Sequence, residues 1–148
     1  MKPLRAGVIG VGHLGQHHAR HYATLPGVTL VGVCDAAQDR AALIADRHGV
    51  QAWSDLTELL KHVDLVSVAA PTSAHFATAR LCLDAGKHVL VEKPIAVTSS
   101  EAHELVELAA RRGCLLQVGH SERFNPIMQR MRSHIERPAF IEGHRLSA

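Results

Sequence analysis

No part of this sequence narrows the choice of fold as far as Gly10-Val11-Gly12-His13-Leu14-Gly15. It follows a short β-branched-rich run and opens a helical pattern. The first glycine permits a tight turn, the second lets the backbone approach an anion closely, and the third lets helix and strand pack together. Unpaired N–H groups at the start of the helix then face phosphate oxygens. Asp35 lies twenty residues after Gly15, at the end of the second apolar run. A carboxylate there is placed to accept hydrogen bonds from an adenosine ribose. The alternative is a plain glycine turn followed by a capping Asp. Strand, glycine spacing and acid together favour a dinucleotide site, with Gly10, Val11, Gly12, His13, Leu14, Gly15 and Asp35 as its first candidates. The acid favours NAD, because it would repel a 2′-phosphate. Arg40, one turn into the next element, leaves NADP open.

Apolar runs alternating with helical patterns continue along the chain, as in βαβ units around a parallel sheet. Strands are expected over Arg5–Ile9, Thr29–Cys34, Leu65–Ala69, His88–Val91 and Leu115–Val118, with Val50–Trp53 as a weaker edge strand. The first helix is expected from near Gly12 to before Pro26-Gly27, the second over about Ala37–His48 up to Gly49. Ser54 is expected to cap a short helix ending near Lys61, and Thr72 or Ser73 a helix ending at Gly86. Thr98-x-x-Glu101 reads as a capping box for a helix ending at Gly113. Asn125-Pro126 opens the last helix, Pro being tolerated at the first helical position. The expected fold is α/β: a doubly wound parallel sheet in three layers, the Rossmann fold.

The 148 residues fit a single domain, and 47% hydrophobic with 20% charged residues is the composition of a folded one. No apolar run approaches the length of a membrane span, and no secretory signal precedes the first strand, so a soluble cytoplasmic protein is expected. Cys34, Cys82 and Cys114 are odd in number and lack CxxC spacing, which argues for buried thiols rather than a disulfide framework or zinc site. A net charge of +2 with five aromatic residues gives nucleic acid neither a basic groove nor a stacking platform.

A second group of residues lies at strand ends, the edge on which open α/β sheets bind ligands. Val91-Glu92-Lys93-Pro94 ends one strand. The Lys93 ammonium can hydrogen-bond an alcohol or ketone oxygen, and a nearby cationic ring or partial desolvation would ease loss of its proton. A solvated lysine before a turn-forming proline is the plainer alternative. Ala70-Pro71-Thr72 ends another strand, with His75 one turn further, and Gly119-His120-Ser121-Glu122-Arg123-Phe124-Asn125-Pro126 follows the last.

In their order and spacing these motifs resemble the N-terminal domain of the Gfo/Idh/MocA oxidoreductases over essentially the whole chain. The segments HLGQHHAR, PTSAHF and GHSERFNP give a narrower similarity to the branch acting on UDP-N-acetylglucosamine. The resemblance implies that Lys93 assists proton transfer, that the Lys93-Pro94 peptide is cis, and that Glu92 lies beside the nicotinamide. It also implies that His120 and Arg123 lie near the nicotinamide or substrate, and that Ala70, Pro71, Thr72 and His75 border the cofactor. Family enzymes follow this domain with a substrate domain that supplies further catalytic residues. The chain is therefore expected to be part of a longer protein and inactive alone. Residues 1–135 would form the dinucleotide-binding domain and residues 136–148 the start of the connection, with 140–146 as a strand leading onward.

His13, His17 and His21 recur at i, i+4 and i+8 on one helix face with His18 beside them, a spacing that permits a shared metal ion. No Cys, Asp or Glu completes a ligand set within that helix, so a solvated or cofactor-flanking face is expected and no metal. The reading is an NAD-dependent oxidoreductase acting on a small sugar or nucleotide-sugar hydroxyl, homo-oligomeric at full length, without membrane or nucleic-acid partners. The alternative is a dinucleotide-binding module or sensor without turnover.

Overall fold

β-Branched runs too short for helices become strands when both faces can be covered, and this chain supplies helices for both. The computed structural model describes residues 2–132 together with Phe140 and Glu142. Its elements are β1 (Leu4–Ile9), α1 (Gly15–Thr24), β2 (Val28–Cys34), α2 (Gln38–His48), β3 (Gln51–Trp53), α3 (Leu56–Leu60) and β4 (Leu65–Val68). After these come α4 (Thr72–Asp84), β5 (His88–Val91), α5 (Ser99–Arg112), β6 (Leu116–Val118), a 3-10 turn (Ser121–Phe124) and α6 (Pro126–Arg132). All six strands are parallel, in the order β3-β2-β1-β4-β5-β6. This is the doubly wound sheet expected, and the weaker edge strand is present. The order reverses between β1 and β4, the switch point at which such sheets open a crevice for ligands.

Alternation along the strands sorts their side chains into two cores. Val8, Leu30 and Val33 pack with Ala19 of α1 and Ala41 and Ile44 of α2 on one face. Ile9, Cys34, Val66, Val68, Val89 and Val91 pack with Leu59 of α3, Leu83 of α4 and Leu105 of α5 on the other. Burying each large aliphatic side chain contributes about 1.5–3 kcal/mol, so the three layers rest on these two clusters. Cys34 and Cys82 are buried and Cys114 is half-buried, all as free thiols. Burial pushes the Cys82 thiol up to about 12. No helix among the described residues is long and apolar enough to cross a membrane.

Most helix signals have the expected chemistry. Thr98 and Glu101 form the reciprocal capping box. Gly49 and Gly113 end their helices in the left-handed region. The Asn125 side chain accepts from the Ile127 N–H at 3.0 Å as α6 begins. Three boundaries differ from expectation. α1 starts at Gly15 rather than near Gly12, because Gly12–Leu14 form a turn of their own. Asp55, not Ser54, caps α3 by accepting from the Thr57 N–H at 2.8 Å. Neither Thr72 nor Ser73 caps α4; extended Pro71 takes that position without a side-chain hydrogen bond, its ring having already set φ for the entry. The Lys93-Pro94 peptide is cis, as the resemblance implies. Apart from Phe140 and Glu142, which lie in neither helix nor strand, the strand expected over 140–146 lies outside the described residues.

Candidate functional site

The glycine turn comes first because it is built from backbone alone. Gly10 has φ +80°, and a Cβ there would lie 2.6 Å from the Ala70 nitrogen, so the turn after β1 and the end of β4 meet at a distance only glycine allows. A Cβ on Gly15 would run into the Gly10 carbonyl oxygen. A Cβ on Gly12 would meet nothing within 4 Å. The fold therefore does not require glycine at position 12, and the open space there suits an anion brought against the backbone.

The donors at this turn are distributed unevenly. The Val11 N–H is taken by Asp35 Oδ2 at 2.7 Å. The N–H groups of Gly12, His13 and Leu14 donate to no acceptor among the described residues. Three adjacent unpaired amides at a helix start form a cradle for phosphate oxygens, and the late start of α1 produces it.

Asp35, placed by sequence at a ribose, faces inward. Its side chain is only 3% exposed. Oδ2 accepts from the Val11 N–H and from Arg40 Nε, and Oδ1 accepts from the Ala37 N–H and from Arg40 Nη2. Four donors fill the acceptor positions of one carboxylate. Burial alone would push this group up; hydrogen bonds from Arg40, Ala37 and Val11 outweigh it and hold the group below the ordinary carboxylate value. Arg40 is half exposed and keeps further N–H donors beyond the two that Asp35 occupies.

The ends of β4, β5 and β6 carry the second group. The Ala69 N–H donates to Ile9 O, the Glu92 N–H to Val68 O and the Gly119 N–H to Val91 O, each at 2.8 or 2.9 Å. Ala70, Glu92 and Gly119 thus leave the sheet along one edge. Lys93 is exposed, and its ammonium makes no hydrogen bond or ion pair with a described residue. His120 and Arg123 are exposed on the turn after β6, and Thr72 is half-buried at the start of α4. His75 differs from expectation. It is 1% exposed, and its ring bridges the carbonyl oxygens of Ala70 and Pro94, 2.8 Å from each. It ties two ligand-edge loops together instead of presenting its ring to a ligand.

Sequence reasoning missed the partners of Glu92. Its Oε1 lies 3.1 Å from His18 Nε2, and His18 Nδ1 lies 3.0 Å from Ser67 Oγ, which lies 2.8 Å from the Tyr22 hydroxyl. Burial pushes the Tyr22 hydroxyl above its ordinary value, against an opposing effect of Ser67. A Cβ on Gly119 would meet Glu92 Oε1 at 2.7 Å, so the backbone of this residue closes against the carboxylate. The available signal was Ser67, a polar residue inside the apolar strand Leu65–Val68. Leu14, His17, His18 and His21 on one side and Leu90, Glu92, Gln117 and His120 on the other line a cleft of about 350 Å³. The His13 and His17 rings meet edge to face at 5.8 Å. Among the described residues no three His, Cys, Asp or Glu side chains stand close enough to hold a metal ion.

Comparison with known proteins agrees with this geometry. Residues 4–120 match the Gfo/Idh/MocA family, described as an oxidoreductase family with an NAD-binding Rossmann fold. The chain is 41% identical over 145 residues to UDP-N-acetylglucosamine 3-dehydrogenase of Acidithiobacillus ferrooxidans, covering 97% of this chain and 46% of that protein. The solved structure of that dehydrogenase superposes with a TM-score of 0.85 at 42% identity, over 90% of this chain and 44% of that one. Inositol 2-dehydrogenase of Salmonella typhimurium is 31% identical over 156 residues, covering 98% of this chain and 46% of that protein. GenD2 from gentamicin A biosynthesis, solved in complex with NAD, superposes with a TM-score of 0.87 at 31% identity, over 90% of this chain and 39% of that one. The chain thus spans less than half the length of the curated relatives it matches. It belongs to the Gfo/Idh/MocA oxidoreductases as an NAD-binding Rossmann domain.

Proposed function

We propose that the protein containing this chain is an NAD-dependent dehydrogenase that interconverts a secondary hydroxyl and a ketone on a sugar or nucleotide sugar. The observation that carries this reading is the placement of Lys93. It leaves the end of β5 beside half-buried Glu92, with an exposed ammonium free of partners among the described residues, in the half of the sheet that takes the second mononucleotide of a dinucleotide. NAD supplies the hydride acceptor. Gly12, His13 and Leu14 give their amides to its pyrophosphate, while Gly10 and Gly15 shape the turn. Arg40, held by Asp35, offers donors to the adenosine ribose. The match to an NAD-binding family supports NAD, while the free donors of Arg40 leave NADP open. Ala70, Pro71 and Thr72 border the cofactor, with His75 fixing that wall, and His120 and Arg123 serve the substrate side.

In the oxidation direction the Lys93 amine would take the proton of the substrate hydroxyl and become an ammonium, while bound NAD would supply the acceptor for the hydride that the alcohol carbon loses as it becomes a ketone. The reverse reaction returns both. Positioned acid–base groups of this kind contribute about 10²–10⁴-fold. Residues 1–135 form the cofactor domain and 136–148 lead toward a substrate domain. Similarity to a UDP-N-acetylglucosamine dehydrogenase and an inositol dehydrogenase supports the polyhydroxylated substrate class. The small substrate, homo-oligomeric assembly and cytoplasmic location belong to the same proposal. The test is an assay of the full-length protein with NAD against UDP-sugars, free sugars, sugar acids and inositols. NADH formation with one member is the expected result. Tight NAD binding without turnover on any hydroxylated substrate would favour a cofactor-binding sensor.

A further inference from the structure

From the wall of the cleft inward, four side chains from α1, β4 and the end of β5 form one hydrogen-bonded chain: Tyr22, Ser67, His18 and Glu92. Its far end is the Lys93 N–H, which donates to Glu92 Oε2 at 3.2 Å. Ser67 is fully buried, and the side chains of His18 and Glu92 are 16% and 13% exposed. A half-buried carboxylate is stabilised by donors on its sheltered side, and His18 is the one side-chain donor to Glu92 among the described residues. The carboxylate only accepts, so a neutral His18 ring carries its N–H on Nε2, pointed at Glu92, which leaves Nδ1 to accept from the Ser67 hydroxyl and Ser67 to accept from Tyr22. The backbone of Gly119 closes the other side of the carboxylate.

His18 also occupies a mechanically distinctive position. It stands one turn into α1, whose start carries the anion-facing amides, and it reaches to the end of β5, 74 residues further along the chain. A single imidazole thus joins the element that would hold the pyrophosphate to the strand end that carries Glu92 and Lys93. With one donor on each oxygen, Glu92 keeps unfilled acceptor positions, and it lines the cleft.

We infer that His18 is a positioning residue for the nicotinamide half of the site, holding Glu92 so that its remaining acceptor capacity is presented to the cofactor. This rests on the proposed reading that the ends of β4–β6 receive the nicotinamide. The test compares calorimetric affinities for NADH and for ADP-ribose, which lacks the nicotinamide, in the full-length protein. Wild type binds NADH more tightly. His18→Ala weakens NADH about tenfold and leaves ADP-ribose unchanged. His18→Gln, whose amide presents an acceptor and a donor across one carbon as imidazole does, restores NADH affinity to within about threefold of wild type. Should His18→Ala fail to fold, the near-isosteric Ser67→Ala carries the test, with the NADH advantage narrowed by roughly threefold. Parallel loss of NADH and ADP-ribose affinity, an unchanged gap, or failure of His18→Gln to restore NADH overturns the inference. Equal affinity of the two ligands for wild type instead rejects the nicotinamide placement itself, and the inference with it.

Discussion

Two carboxylates stand at strand ends of this sheet, Asp35 after β2 and Glu92 after β5, and their surroundings differ. Asp35 is saturated: two backbone amides and both arms of the Arg40 fork fill its acceptor positions. Glu92 is also sheltered but holds one imidazole and one amide, one on each oxygen. The first is scaffolding that fixes the glycine turn and an arginine; the second retains capacity for a ligand. An acidic residue at a strand end is thus no guide to its role until its donors are known. On the proposed reading, the adenosine half of the site is fixed before cofactor arrives, and the nicotinamide half would be completed by it.

The largest expected effect lies at the second end. Lys93→Ala in the full-length protein should lower kcat by about 10²–10⁴-fold while leaving the calorimetric affinity for NAD little changed, and a near-normal kcat would remove Lys93 from the chemistry. At the turn beside the first end, Gly12→Ala separates ligand space from folding space. Nothing in the protein meets the added methyl, so the unfolding midpoint should hold while NAD affinity falls by about 1–3 kcal/mol. Gly10→Ala should lower the unfolding midpoint as well, because its Cβ meets Ala70 and its φ is positive. A smaller effect is expected at Asp35. Asp35→Ala releases the Arg40 cation and should shift the NAD-to-NADP affinity ratio toward NADP by about tenfold; an unchanged ratio would break the view that Asp35 neutralises Arg40.

The acid dependence follows from the same residue. A carboxyl held below its unfolded value of 3.8 contributes stability that is present above that value and lost as pH falls through the folded one. Urea titrations between about pH 5 and pH 2 should show this loss in wild type, and Asp35→Asn should flatten it in part. Asp64, held low by Arg5, keeps its share. The smallest effect concerns the thiols. Cys114 should be alkylated before Cys82, whose burial suppresses the thiolate.

Local chemistry was the legible part of this sequence. The strands fall within a residue of their expected ends because short, largely apolar runs bounded by turn and helix signals leave little choice, and Thr98 with Glu101 is a complete signal within four residues. Neighbouring candidates defeated the same reasoning at α3, where Ser54 and Asp55 both suit a cap and only backbone geometry selects between them. Lys93, Glu92 and the glycines were found at strand ends because order along the chain maps onto one edge of a parallel sheet. Orientation was not legible. Asp35 turns inward to an amide 24 residues earlier, His75 spends its ring on two carbonyls, and His18 reaches Glu92 across 74 residues. Asp35 depends on how the turn after β1 and the start of α2 meet, and His18 and His75 on where α1 and α4 settle against the sheet, which no local pattern encodes.

The division between a fixed strand end and an open one is tested most directly by a crystal structure of the full-length protein with NAD bound. Asp35 is expected to keep the Val11 N–H and Arg40, with the ribose on the outer face of Arg40 and the nicotinamide against Glu92 and Lys93. Asp35 swung out to the ribose with Arg40 released, or a nicotinamide lying away from the end of β5, would contradict that division.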